Sequence, residues 1–271
     1  MSRTTPFMDG FLLMIKSTYV KNIEDLKEEI KKGAPALYLG GKTSTVLPLD
    51  KEQQMYSSGV EKLVFLSGIS PKLEVIEESP NASLIRVQGA ASWRDLREFC
   101  EQRNLLSLTS PTEENAHVLS GLATSATGER CFGYGTLRDQ VKSLRFLSHE
   151  GIEVQLSAEK SIENWFSDEE KLVWDLYKKD FQNSYSNFKN GPFPRFEQEI
   201  DLMVGTEGQL GIITEAVIKV LPMKHKQFIF LNLPRWEDNI ELHLKLMEWA
   251  QDKRSKISAC ELLDSNSLDV L

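Results

Sequence analysis

Between residues 36 and 44 the chain reads ALYLGGKTS. Ala36, four residues, then Gly41-Lys42-Thr43 fits the relaxed form of a triphosphate-gripping loop. In such a loop backbone N–H groups wrap the phosphates and the lysine ammonium pairs with them. That chemistry needs a buried strand before the loop and a helix opening directly after the lysine. Here Leu37-Tyr38-Leu39 reads as the strand itself and sits where the loop should be. The residues after Thr43 disfavour an immediate helix, through β-branched side chains and Pro48. Nucleotide hydrolysis is therefore a distant third reading, which loss of hydrolysis on Lys42→Ala would revive. Gly40-Gly41 serves either a tight turn after a strand or a turn that brings backbone amides up to a diphosphate.

Two further stretches are rich in glycine: SGLATSATGERCFGYGT at 120–136 and GTEGQLG at 205–211. Each adjoins apolar, strand-like residues. Three such turns can surround an extended, doubly charged diphosphate, because glycine admits close approach and leaves amide donors unobstructed. Chain reversal alone is the competing account. Other chemistry is thin. Cys100, Cys131 and Cys260 are scattered without CxxC spacing, which argues against a disulfide framework or structural zinc. His117, His149, His225 and His243 are dispersed, and no metal site is expected. His117 and His149 are candidate bases by chemistry only, expected on a helix and in a hairpin turn.

The elements that must position these turns can be read from capping and periodicity. Asn22 with Asp25 caps a helix that carries Ile23, Leu26 and Ile30 and stops at Gly33. Strands are expected at Ala36 to Leu39, Lys62 to Leu66, Leu73 to Glu77 and Ser83 to Gln88. Ser92 and Asp95 cap a helix with Trp93, Leu96, Phe99 and Cys100 on one face, and Thr112 caps another through about Leu119. No amphipathic helix or strand is evident over 120–136. A strand at Gln140 to Leu147, a turn at His149-Glu150-Gly151 and a strand at Ile152 to Leu156 follow. A charged helix over Asp168 to Lys179 should turn Leu172, Val173, Leu176 and Tyr177 toward the core. Residues 181–196 read as a loop, and Ile212 to Leu221 as a strand. From about Phe228 a strand, a helix from Trp236 to about Gln251 and an apolar run at Ile257 to Leu263 suggest a second domain. Its remainder is absent or supplied by a partner.

The chain has 271 residues, 41% hydrophobic and 27% charged, enough for one large or two small domains with a core. Its net charge of -8 and its lack of long basic runs argue against nucleic acid as a partner. No apolar run reaches the roughly 18 residues that span a bilayer, and Phe11 to Ile15 is too short. The expected location is cytoplasmic.

Four of these segments, in order, resemble the FAD-linked oxidases typified by p-cresol methylhydroxylase and vanillyl-alcohol oxidase. The nearest branch is the glycolate oxidase and D-lactate dehydrogenase type. VGTEGQLGIITEAVIKVLP at 204–222 is similar to that branch's Gly-Ser-Glu-Gly-Thr-Leu-Gly-Ile-Ile-Thr-Glu-Ala run. YGTLRDQV at 134–141 is similar to Tyr-Gly-Thr-x-Arg-Asp-x-Val, and GLATSATG at 121–128 to its small-residue cofactor segment. LGGKTS at 39–44 takes the place of Arg-Gly-Gly-Gly-Thr-Ser.

The resemblance covers roughly residues 20–222. It implies an α+β fold: a two-subdomain FAD-binding domain over 1–225, with subdomains at about 20–90 and 91–225, then an incomplete α/β cap over 226–271. It implies non-covalent FAD, since the first loop has no histidine for flavin attachment. Backbone around Gly40, Gly41, Lys42, Thr43 and Ser44, with hydroxyls at Thr43, Thr124 and Ser125, would meet the diphosphate. Gly121, Gly128, Tyr134 and Gly135 belong to the matching motifs, and Pro111 would lie near the isoalloxazine. Glu207, Gly208 and Gly211 would let the chain pass the cofactor, with Ile212 and Ile213 bordering the adenine. Arg138 and Asp139 have a structural ion pair as their alternative, and Cys131 reads as a small buried hydrophobe.

Departures matter as well. Lys42 replaces the third loop glycine, and Leu119 and Ser120 replace a Gly-Gly pair. Each adds a Cβ where backbone approach is expected, while Lys42 also adds charge near phosphate. Two functions follow. One is an FAD-dependent oxidoreductase, or its flavin-binding portion, that oxidises a small α-hydroxy acid by hydride transfer to flavin N5. The other is a flavin-binding or degenerate subunit that works through a partner or a second copy. The catalytic residues remain unknown.

Overall fold

The computed structural model describes residues 16–43, 59–185 and 197–263. Ser44, most of the expected loop at 181–196 and the last eight residues lie outside them.

Two sheets organise the described chain. The first is parallel, in the order β1-β3-β2, from β1 (Lys16–Tyr19), β2 (Ala36–Leu39) and β3 (Lys62–Phe65). Helix α1 (Ile23–Lys31) joins β1 to β2. Asn22 accepts a hydrogen bond from the Asp25 amide at 2.8 Å, and Gly33 leaves the helix at φ +65°. Leu26 and Ile30 pack beside Val20 and Val64 of the small sheet and Leu147 of the large one. Helix α1 thus turns one apolar stripe toward both sheets and leaves its other face to solvent.

The second sheet is antiparallel, with β4 (Lys72–Glu78), β5 (Ser83–Gln88), β9 (Ile212–Pro222), β7 (Val141–Leu147) and β8 (Glu153–Ser157) side by side. The short β6 (Leu105–Leu106) pairs with the end of β9. Strand alternation gives this sheet two chemically different faces. On one, Ile85, Val87, Leu144, Ile213 and Ile218 join the main core under helix α2 (Trp93–Glu101) and the short helix α3 (Val118–Ala123). On the other, opposite charges alternate across five strands: Glu74–Arg86 at 3.0 Å, Arg86–Glu215 at 3.5 Å, Glu215–Arg145 at 3.7 Å and Arg145–Glu153 at 3.8 Å.

Several expectations are corrected. Strand pairing puts the break between the sheets after β3, not near residue 90, because β4 and β5 belong with β9. Thr112 caps no helix. The chain turns through 112–116 and the helix starts at Val118, so the small-residue stretch is partly helical, with α3 and α4 (Cys131–Tyr134) inside it. Helix α5 (Asp168–Tyr185) runs past Lys179. It buries Trp174 and leaves Leu172, Val173 and Leu176 exposed. No strand forms at 228–233, where Phe228, Ile229 and Phe230 are exposed, or at 257–263. Helix α6 (Ile240–Asp252) is present. The segment after it is anchored on α4 by Arg254 Nε to the Phe132 carbonyl, at 2.5 Å, and by the Gly133 amide to the Ser258 carbonyl, at 3.1 Å.

Candidate functional site

The chain leaves β2 in a turn at Gly40–Thr43 that rests on the residues leading into α3. A Cβ on Gly40 would lie 2.1 Å from Ser120 Oγ and 3.4 Å from His117 Nδ1. One on Gly41 would lie 3.1 Å from the Asn115 carbonyl oxygen and 3.4 Å from His117 Cδ2. None of the amide N–H groups of Gly40, Gly41, Lys42 and Thr43 donates to a described residue. Four adjacent amide donors on this half-exposed turn are open to water or to an anion, the arrangement of a backbone anion site.

Lys42 adopts φ +57°, the left-handed conformation a glycine takes without strain. The substitution for a loop glycine thus keeps a glycine-like backbone. Its ammonium stands 3.8 Å from the centre of the Phe65 ring and 3.2 Å from the Tyr19 hydroxyl. Tyr19 and Phe65 stack with centroids 4.6 Å apart.

His117 precedes α3 and is buried. Burial lowers its pKa, while the Asp95 carboxylate pulls it up less strongly. The ring is therefore neutral near pH 7, with one N–H to donate and one nitrogen to accept. Neither nitrogen has a hydrogen-bond partner among the described residues. The hydroxyls of Thr43, Ser120 and Ser125 are likewise unpartnered there. The Thr124 hydroxyl proton is committed to the Ser120 carbonyl at 3.2 Å.

The third glycine turn closes on the far end of α3. The Gly205 amide donates to the Leu122 carbonyl at 3.0 Å and the Glu207 amide to the Ala123 carbonyl at 2.8 Å. A Cβ on Gly205 would sit 3.2 Å from Ser125 Cβ. Turns 40–43 and 205–207 thus meet the two ends of one short helix. Among the described residues, four other than glycine have positive φ: Lys42, Ser125, Glu207 and Asn104. The first three lie here, a clustering typical of functional sites.

Other candidates have local packing reasons for their identity. Gly128 faces the Ser110 carbonyl, Gly121 the Trp93 ring and Gly211 the Leu147 carbonyl, each too close for a Cβ. Gly135, at φ +80°, faces the Asp139 carboxylate that caps Thr136, and Tyr134 ends α4 before it. Gly208, at φ +77°, is exposed beside Glu207. Ile213 belongs to the main core and Ile212 to the cluster around α1. Pro111 lines an open cleft of about 430 Å³ with Ser110, Thr112, Glu114, Glu129 and Glu261. Three glutamates make that cleft unsuited to a diphosphate. The donors around 40–43 could hold a diphosphate through backbone amides, with the Thr43, Ser120 and Ser125 hydroxyls within the same group of residues. The contact of Ser120 and His117 with the turn had no sequence signal beyond the His117 ring itself. Among the described residues no cluster of histidine, cysteine and carboxylate side chains could hold a metal, and no helix is long and apolar enough to cross a membrane.

Comparison with known proteins identifies the family. Residues 19–157, just over half of the chain, match the family model described as FAD binding domain. The chain is 30% identical over 151 residues to a D-lactate dehydrogenase of Anaerostipes hadrus, covering 56% of this chain and 25% of that protein. It is 23% identical over 186 residues to the mitochondrial D-lactate dehydrogenase [cytochrome] of Kluyveromyces lactis, covering 68% and 26%. The chain therefore spans about a quarter of the length of these relatives. A solved alkyldihydroxyacetonephosphate synthase is similar at 17% identity with a TM-score of 0.49, over 76% of this chain and 31% of that one.

Proposed function

The chain belongs to the FAD binding domain family, of the FAD-linked oxidase type, and from that premise we propose that it is the flavin-binding portion of an oxidoreductase that oxidises a small α-hydroxy acid. One observation carries the cofactor assignment. The turn at 40–43 presents four unpaired amide donors against a surface that also holds unpaired Ser120 and Ser125 hydroxyls. When bound, FAD supplies the hydride acceptor, its N5 atom. The residues of this chain fix the diphosphate, hold the cofactor non-covalently and bring the glycine turn at 205–211 beside it. The α-hydroxy acid class rests on likeness to two proteins named D-lactate dehydrogenase.

The cleft beside Pro111 favours a second reading. Its acidic walls offer no described cation for a substrate carboxylate: Arg97 is spent on Glu114 at 2.8 Å and Arg130 on the Ser107 carbonyl at 2.8 Å. On this reading the chain binds flavin, and a partner subunit or a second copy supplies the substrate-binding charge.

Absorbance of the purified chain during FAD titration tests the first step. A saturable shift of the flavin bands supports both readings, and its absence rejects both. Bleaching of bound flavin by D-lactate without oxygen then separates them. Reduction by this chain alone supports the oxidoreductase, and reduction only with added partner supports the subunit.

A further inference from the structure

Building on the flavin reading, we propose that His117 is a direct cofactor ligand, its imidazole donating a hydrogen bond to a diphosphate oxygen of FAD held over the Gly40–Thr43 turn. Three observations converge. The residue is 8% exposed, and neither ring nitrogen has a hydrogen-bond partner among the described residues, although solvent still reaches both. A ring N–H that meets only solvent is available to donate to a bound acceptor. The ring lies against the turn itself, with Nδ1 and Cδ2 each 3.4 Å from where Cβ atoms on Gly40 and Gly41 would stand. Finally, the turn amides beside it are themselves unpaired donors, so an acceptor that satisfied them would come within reach of the imidazole.

The chemistry selects the ligand. A diphosphate oxygen accepts and does not donate near neutral pH, so whatever faces it must donate. Lys42 is held by Tyr19 and Phe65 and the Thr124 proton by the Ser120 carbonyl, while the open hydroxyls of Thr43, Ser120 and Ser125 would share the diphosphate with the imidazole. Asp95, the nearby carboxylate, accepts from the Ser92 amide and hydroxyl and does not close the site to an anion.

The test compares wild type, His117→Leu and His117→Gln in titrations with FAD, ADP and riboflavin, followed by flavin fluorescence and, for ADP, by competition. His117→Leu should weaken FAD and ADP in parallel by about tenfold or more, the weight of one hydrogen bond to a charged acceptor. Riboflavin, which lacks the diphosphate, should be unaffected, and His117→Gln, which keeps an N–H, should recover most of the loss. In wild type, ADP should shift the His117 imidazole NMR resonances, a readout that needs no variant to fold. Equal FAD affinity in wild type and a folded His117→Leu protein, or His117 resonances unmoved by saturating ADP, would overturn the assignment while leaving the flavin reading intact. Wild type that binds neither FAD nor ADP would sink both.

Discussion

Arg138 binds both carboxylate oxygens of Asp201, Nε to Oδ1 at 2.5 Å and Nη2 to Oδ2 at 2.7 Å. Asp139, its neighbour in sequence, lies 3.8 Å from Nη1 and instead caps Thr136. Asp201 also accepts from the Glu197 and Gln198 amides, so its buried carboxylate is fully used. Burial opposes the Arg138 charge, but the hydrogen bond to Asp201 and the charges of Asp201, Glu197 and Asp139 together outweigh it and the guanidinium pKa rises. The pair ties the segment before β7 to the segment before the third glycine turn. Removing one partner of a buried pair strands the other, at about 3–5 kcal/mol, whereas losing a cap costs about 1 kcal/mol. Urea denaturation should therefore show Asp201→Ala several-fold more damaging than Asp139→Ala. Equal losses would mean that the fork onto Asp201 contributes little.

Lys42 makes a different prediction because two small effects oppose. Its left-handed backbone costs about 1–2 kcal/mol relative to glycine. Its ammonium over Phe65 returns about 0.5–1 kcal/mol. Lys42→Gly should leave stability within about 1 kcal/mol of wild type and keep FAD affinity, since the turn amides stay in place. Lys42→Val cannot adopt that backbone cheaply and loses the cation. It should be less stable and bind FAD more weakly, as titration with FAD would show. A large loss in Lys42→Gly would assign the charge itself to the cofactor.

Local signals explain which features were legible in the sequence. The Asn22–Asp25 and Ser92–Asp95 caps, the Gly33 stop and strands β2 to β5 and β7 to β9 rest on neighbours within four residues or on short β-rich runs, whereas β1 and the two-residue β6 carry no such signal. The failures share one cause, tertiary context. Leu172, Val173 and Leu176 have helical spacing, yet α5 turns Trp174 inward. Phe228 to Leu231 is β-rich, but without a paired strand it forms no regular element and stays exposed. The site divides the same way. Its glycine turns were visible, whereas the seat of Gly40 on Ser120 and the reach of Arg138 to Asp201 cross 80 and 63 residues of chain.

Two glycines of the candidate site should respond differently to alanine. At Gly128 the new Cβ would lie 2.0 Å from the Ser110 carbonyl oxygen and 2.9 Å from the Pro111 nitrogen, both backbone atoms that cannot step aside. Gly128→Ala should cost about 1–3 kcal/mol or more by overpacking. At Gly40 the nearest atom, 2.1 Å away, is the Ser120 hydroxyl, which can rotate. Gly40→Ala should be milder, and Ser120→Gly should rescue it in a double-mutant cycle. Thermal melts of the four proteins check this. No coupling between 40 and 120 would contradict the seating of the turn.

Acid should expose the tie between α1 and β3. The Glu29 carboxylate accepts from both Lys32 and Lys62, and these bonds hold its pKa below the ordinary value. A carboxylate whose folded pKa is lowered adds stability at pH above its unfolded value. That contribution drains away as pH falls through the lower, folded value. Glu29→Gln should therefore destabilise the chain at pH 7, and its difference from wild type should shrink steadily below about pH 4, near the ordinary glutamate value. Urea midpoints of both proteins from pH 7 to pH 3 measure this directly. The Lys62 arm crosses from helix to strand, while the Lys32 arm stays within one helical turn. Lys32→Met and Lys62→Met should each remove part of the pH-dependent difference, since both bonds lower the Glu29 pKa. A pH profile unchanged in Lys62→Met would place the stabilisation within α1 and not between α1 and the sheet beneath it.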